Sequence, residues 1–227
     1  MKRAMCMVFT GLALAAGAPA MAAGVAAQIQ IGTLGPGAEL AFALPGPFAA
    51  RLGLNRFTYS GFDLDDAEGL DYDAELELRN EHLFLDWQVF GHFRLSGGYL
   101  RNGMRLSASA QVRSDGEARV GARAALAGTR VEATVDFDES AGYVGLGFGN
   151  TFGGGRFVYA VDLGVVQQGS PRVALDVTLP PQLDGCVPSD EGCIGPEDIE
   201  RERQDVEAEI RDLDVWPVVS VGFGLRF

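Results

Sequence analysis

The chain has 227 residues and a formal charge of −13, from 31 acidic and 18 basic side chains. Its single lysine is Lys2, which argues against nucleic-acid binding, an interaction that rests on cationic neutralisation of phosphates. The length suits one domain, and beyond the amino end no stretch is long and apolar enough for a transmembrane helix.

Residues 1–22 read as a secretory signal peptide. Lys2 and Arg3 precede an apolar run, Val8–Ala18, and Ala20-Met21-Ala22 fits a small-residue cleavage site. The run is about half the ~20 residues a spanning helix needs, and Cys6 leaves with it. Residues 23–227 then form one exported domain, still more acidic once Lys2 and Arg3 are gone. A membrane protein without a spanning helix has one remaining option, a closed barrel whose backbone groups all pair between strands.

Taken in order, strands are expected at Ala26–Ile31, Gly37–Leu44, Phe48–Tyr59, Asp71–Trp87, Phe93–Ser109, Arg130–Asn150, Arg156–Gln168 and Val215–Phe227. Gly32–Pro36 turns between the first two, although Gln28–Leu44 also reads as one strand kinked at its glycines. Brief connections at Pro45-Gly46-Pro47, Val89–His92 and Thr151–Gly155 alternate with long polar ones at Ser60–Leu70, Ala110–Gly128 and Ser170–Asp214. Short periplasmic turns and long external loops mark outer-membrane barrels. The pattern predicts an all-β fold: an eight-stranded antiparallel transmembrane β-barrel, with both termini periplasmic and one short helix in the last loop.

The final strand carries the clearest two-residue period. Val215, Pro217, Val219, Val221, Phe223, Leu225 and Phe227 share one face, and Trp216, Val218, Ser220, Gly222, Gly224 and Arg226 the other. An apolar face toward lipid, a small or polar face toward the lumen and a closing Phe resemble the last strand of a Gram-negative outer-membrane barrel. Two other strands change phase midway: Leu76 and Leu78 are out of step with Leu83, Leu85 and Trp87, and Val135 and Phe137 with Val144, Leu146 and Phe148. Either bulges near Asn80–His82 and Glu139–Ala141 restore the pattern, or the upper ends stand clear of the membrane.

Several short motifs carry a wider likeness. They are Gly32-Thr33-Leu34-Gly35-Pro36-Gly37, Arg51-Leu52-Gly53-Leu54-Asn55, Tyr72-Asp73-Ala74-Glu75-Leu76, Leu85-Asp86-Trp87, Phe93-Arg94-Leu95-Ser96-Gly97-Gly98, Gly169-Ser170-Pro171, and Trp216-Pro217-Val218-Val219 leading into Leu225-Arg226-Phe227. Together the chain resembles small, functionally unassigned outer-membrane β-barrel proteins of proteobacteria. The resemblance implies that Phe227 is part of the signal read by the barrel-assembly machinery, and brings no catalytic residues.

Inside such a barrel the expected charge network is Arg51, Glu75, Glu77, Arg79, Asp86, Arg94, Asp136, Asp162 and Arg226. Eight strands enclose a space that side chains just fill, and charges there must pair because an isolated buried ion is costly. Inward glycines (Gly145, Gly147, Gly149, Gly222, Gly224) leave room for bulky neighbours or for a slim cavity. Outside, Asp63, Asp65, Asp66, Glu68, Asp71 and Asp73 read as a solvated acidic loop rather than a cation site, since no calcium-loop spacing is present. Cys186 and Cys193 are expected to pair after export. Glu197–Leu213 reads as a helix with a thin apolar stripe (Ile199, Val206, Ile210, Leu213), either a lid on the barrel mouth or a docking element. Only His82 and His92 could act as bases, and Ser96 is four residues past His92 but not placed to be activated.

These residues predict a surface protein of structural or adhesive type, acting through its loops, in the outer membrane. It would be a monomer among phospholipid and lipopolysaccharide, with no cofactor, metal or catalytic residue. A narrow porin-like channel is the alternative, and a lipid-modifying enzyme a distant third.

Overall fold

The computed structural model describes residues 24–60, 70–113, 118–120, 123–151, 153, 155–183, 185–187 and 192–227. The signal peptide and the acids Asp63, Asp65, Asp66 and Glu68 lie outside them. Thirteen strands are formed among these residues: β1 (Val25–Gly32), β2 (Gly37–Ala43), β3 (Phe48–Ser60), β4 (Leu70–Phe90), β5 (Phe93–Asn102), β6 (Arg105–Val112), β7 (Ala118–Val120), β8 (Arg123–Ala125), β9 (Arg130–Asp136), β10 (Ser140–Gly149), β11 (Phe157–Gln167), β12 (Arg172–Thr178) and β13 (Val215–Arg226). One helix, α1 (Pro196–Ile210), precedes β13. No helix among the described residues is long and apolar enough to cross a membrane.

Eight strands close on themselves, in the order β4-β3-β2-β1-β13-β11-β10-β5 and back to β4. The ends of the chain make one seam, with Ala26 opposite Arg226 and Gly32 opposite Ser220. The first pair is separate, not one kinked strand: Gly32–Pro36 is a turn in which Gly35 donates its N–H to Gly32 O at 2.9 Å. Gly35 has φ +90°, a backbone state glycine adopts without steric cost.

The main sheet holds eleven strands rather than eight. β4 is 21 residues long, or ~70 Å of strand, whereas a tilted strand spans a bilayer in ~9–11 residues. Its lower half pairs with β5 and its upper half with β6, which pairs with β9, which pairs with β12. These upper segments continue the ring strands as a projecting sheet. Register is unbroken from β5 to β6, since Asn80 faces Asn102 and Glu77 faces Arg105.

Neither expected bulge forms. Along β4, Leu78, Asn80, His82, Phe84 and Asp86 all point inward, and β3 follows the strand without a register shift. Val135, Phe137, Ala141 and Tyr143 likewise keep one inward phase. Instead, the apolar face changes sides. In the ring it faces out, and in the projecting sheet it faces in, against α1. The inward phase does shift between Val166 and Val173, across Gly169 with φ +76°.

α1 begins with Pro196, whose missing N–H costs nothing at that position. Asp198 accepts the Gly195 N–H at 3.2 Å. Val206 and Ile210 pack on Leu78, Met104, Val135, Phe137 and Val173, and Ile199 packs near Val112, Val120 and Ile194. Val173 N donates to Glu207 at 3.2 Å, tying the helix to β12. A short 3₁₀ turn, Arg211–Asp214, then leads into β13. Just before the helix, Cys186 and Cys193 form a disulfide with Cα atoms 6.0 Å apart.

Candidate functional site

The interior of the ring is stacked in tiers, and the first is ionic. Arg51, from β3, is 1% exposed and reaches three carboxylates: Asp86 through Nε at 2.8 Å, Glu39 at 3.2 Å and Asp162 at 3.3 Å. Arg94, from β5, pairs with Asp162 at 2.6 Å and Asp86 at 3.3 Å. Ser96 donates to Asp86 at 2.7 Å and accepts from Arg51 at 3.2 Å. His82 Nε2 lies 2.9 Å from Glu39 Oε2, and Gln28 also donates to Glu39. Six strands contribute, β1 to β5 and β11, so the network ties one wall of the ring to the other.

Glycine makes room for these groups. A Cβ on Gly147 would collide with Arg94 Nε, and one on Gly53 with His82 Nε2. Gly145 gives the same clearance to the Tyr143 hydroxyl. Gly53, Gly145 and Gly147 are therefore slots for bulky neighbours, whereas a Cβ on Gly149 or Gly224 would first meet the backbone of the adjacent strand.

Above the ions lies an aromatic tier. Phe84 stacks on His82 at 4.4 Å and on Tyr143 at 4.1 Å, with the Arg51 guanidinium 5.4 Å from its centroid. Leu100, Ala141, Val166 and Val218 complete this layer, and Leu34 and Trp216 pack on it. Trp216 also meets the cluster under α1, which forms a third, apolar tier. Two hollows remain. A vestibule of about 340 Å³ at the turn end is reached by Asp86, Gln88, His92 and Arg94. A hollow of about 20 Å³, one water's worth, lies between the tiers beside Asn55, His82, Tyr143 and Asp162. Arg51 and its partners separate the two.

Of the nine charges expected inside, Arg51, Asp86, Arg94 and Asp162 meet here. Arg226 lies lower, donating to the carbonyls of Asn150, Thr151 and Gly153, and so holds the turn before β11. Glu75, Glu77, Arg79 and Asp136 are not in the lumen. They lie on the outer face of the projecting sheet, where Arg79 pairs with Glu77 at 3.4 Å and Asp136 with Arg105 at 2.7 Å. Their placement inside assumed that apolar residues always face out, and α1 reverses that rule locally. Glu39 was not expected in the network, and His82 was expected only as a candidate base. Glu39 is the one charge on β2 and shares its phase with Ala41, a signal that was available. His82 shares its phase with Asp86, which a bulge at Asn80–His82 would have obscured.

The remaining expected groups lie apart. His92 Nδ1 is 3.2 Å from Gly149 O, and its ring tilts against Phe148 and Tyr159. Phe227 is exposed at the seam, its N–H donating to Val25 O at 2.9 Å.

No protein-family model and no curated protein matches the chain. Among solved structures, CarO of Acinetobacter baumannii superposes with a TM-score of 0.60 at 20% identity, over 90% of this chain and 98% of that one. CarO2 of the same organism gives 0.60 at 18% identity, over 89% and 98%. A major outer membrane protein of Thermus thermophilus aligns over 90% of this chain and all of its own at 15% identity, too loosely to inform the fold at a TM-score of 0.37. This chain has the fold of the CarO structures.

Proposed function

We propose that this protein is an outer-membrane β-barrel whose lumen is closed at rest and which acts through its projecting sheet, disulfide loop and helix. The observation that carries the reading is the plug: Arg51, Glu39, Asp86, Arg94 and Asp162 are all under 5% exposed. Above them stand the aromatic tier and the apolar cluster packed under α1. The belt of outward residues (Ile29, Leu54, Leu83, Val144, Leu163 and Phe223 among them) is 52–72% exposed to whatever surrounds the ring. Soluble monomers rarely show a contiguous apolar surface of that extent, and hydrocarbon is the solvent that removes its cost. Export would follow cleavage near residue 22, with Phe227 helping assembly. The reading supplies a surface-interaction or adhesive role and no catalytic step.

The test is conductance. Purified protein in planar bilayers should show no stepwise current. Regular unitary steps from the wild type would overturn the closed-lumen reading in favour of a narrow solute pore. The 340 Å³ vestibule, separated from the upper hollow by the single tier of ions, is what favours that second reading.

A further inference from the structure

On the outer face of the ring the apolar belt stops at one level. Along β3 the outward residue after Leu54 is Arg56, along β5 the one after Tyr99 is Arg101, and on β4 Leu83 gives way to Glu81 and then Arg79. Arg56 and Arg79 are direct register partners, and both are exposed. Like charges placed opposite on one face of a sheet repel. Arg79 has Glu77 at 3.4 Å and Arg101 has Glu81 at 3.8 Å, with the arginines 55% and 70% exposed. Pairs so open hold little energy and yield to a better acceptor. Arg56 has no carboxylate at ion-pair distance among the described residues. Gly103, which donates its N–H to Arg79 O at 2.8 Å, sets Arg101 diagonally across from Arg79.

We propose that Arg56, Arg79 and Arg101 bind a phosphate of the glycolipid that fills the outer leaflet, an assignment that rests on the outer-membrane reading above. Guanidinium forks match phosphate oxygens in pairs, and an anion between Arg56 and Arg79 removes their repulsion. The lipid is favoured over a free phosphate because the same molecule gains a second anchor: its acyl chains descend over Leu54, Leu83 and Tyr99. Beside the arginines, where β5 passes into β6, a cleft of about 530 Å³, in which Arg79, Arg101 and Arg105 alternate with acids such as Glu77, Glu81 and Asp136, has room for its uncharged sugars.

Native mass spectrometry of the detergent-solubilised full chain tests this, with diphosphoryl lipid A, fully dephosphorylated lipid A and inorganic phosphate as probes. The wild type and an outward control, R130Q, should each retain one diphosphoryl lipid A. The R56Q/R79Q double variant should retain it about tenfold less, and dephosphorylated lipid should be held no better than by that variant. All three substituted arginines are at the surface, and each variant is checked for the heat-modifiable migration of a folded barrel. Equal retention with and without phosphates, an R56Q/R79Q variant that binds like the wild type, or displacement by equimolar inorganic phosphate would each overturn the site. Flotation of the wild type with liposomes is measured separately. If it fails, the outer-membrane reading falls and the site with it; if it succeeds, a negative binding result sinks only the site.

Discussion

Arg51 holds Glu39, Asp86 and Asp162 in one buried cluster, and a planar fork with five donors is the side chain that can do this. Replacing it by methionine keeps the volume and leaves buried carboxylates short of partners. R51M should lower the unfolding free energy by about 3–5 kcal/mol, the cost of breaking a buried ion pair from one side. The shift of the urea midpoint in lipid vesicles measures it. E39Q added to R51M should recover part of that loss, and a double variant no more stable than R51M would show that Glu39 is not the stranded group. At this scale the sequence was legible where one phase rule holds. Arg51, Asp86, Arg94 and Asp162 lie on the lumen face of strands that are apolar outside. Glu75, Glu77, Arg79 and Asp136 obey the same alternation, but nothing local reveals that their apolar neighbours face a helix about 70 to 130 residues on rather than lipid.

α1 is the element that makes this reversal, and its own sequence shows why it stays helical. Arg203 bonds Glu200 and Glu207, and Gln204 bonds Glu200. Those hydrogen bonds, from Arg203 first and Gln204 next, pull the Glu200 carboxyl down to about 2. A depressed folded value means stabilisation present above the ordinary 4.5 and lost as the pH falls through about 2. In a W87F background, Trp216 emission should therefore shift to the red between pH 4.5 and 2 as the helix loosens, by less in high salt because Glu200 is fully exposed. E200Q should abolish that window; an unchanged titration would remove Glu200 as its cause. The disulfide acts on the neighbouring loop. Closing so short a loop restricts the unfolded chain by roughly 2.5 kcal/mol, so C186S/C193S should expose residues 185–195 to protease while leaving the ring intact. The helix and the pairing of Cys186 with Cys193 could be anticipated from local signals, a Pro start and two cysteines after export. β12 could not, because its edge is covered by Glu207 and α1 rather than by a sequence-adjacent strand.

For the whole molecule, closure of the ring is the organising fact. An eight-stranded ring without a free edge satisfies its own backbone, and its outward belt demands an apolar surrounding. The protein should aggregate on transfer from detergent to buffer and float with liposomes, and a monodisperse soluble fraction would contradict the membrane reading. R51A/D162A, which removes side chains from both walls of the ionic tier, is expected to join the two hollows without opening a full passage, because Phe84, Tyr143 and α1 still cover the upper end. Conductance should appear only when F84A/Y143A and a deletion of residues 196–213 are added together. Current through R51A/D162A alone would show that the aromatic tier does not seal.

Alternation, turn residues and loop lengths by themselves gave an antiparallel β fold and most of the strand bounds, because each depends on neighbours in sequence and a period of two; that Gln28–Leu44 is two strands was settled by the turn at Gly35. Which face of a long strand is the inside of the molecule at a given height was decided only in three dimensions. Below the rim, on the membrane reading proposed above, lipid takes the apolar side; above it, Val206, Ile210 and Trp216 do. A side chain's preference for an apolar neighbour is the same in both places, and only the tertiary fold says where that neighbour is.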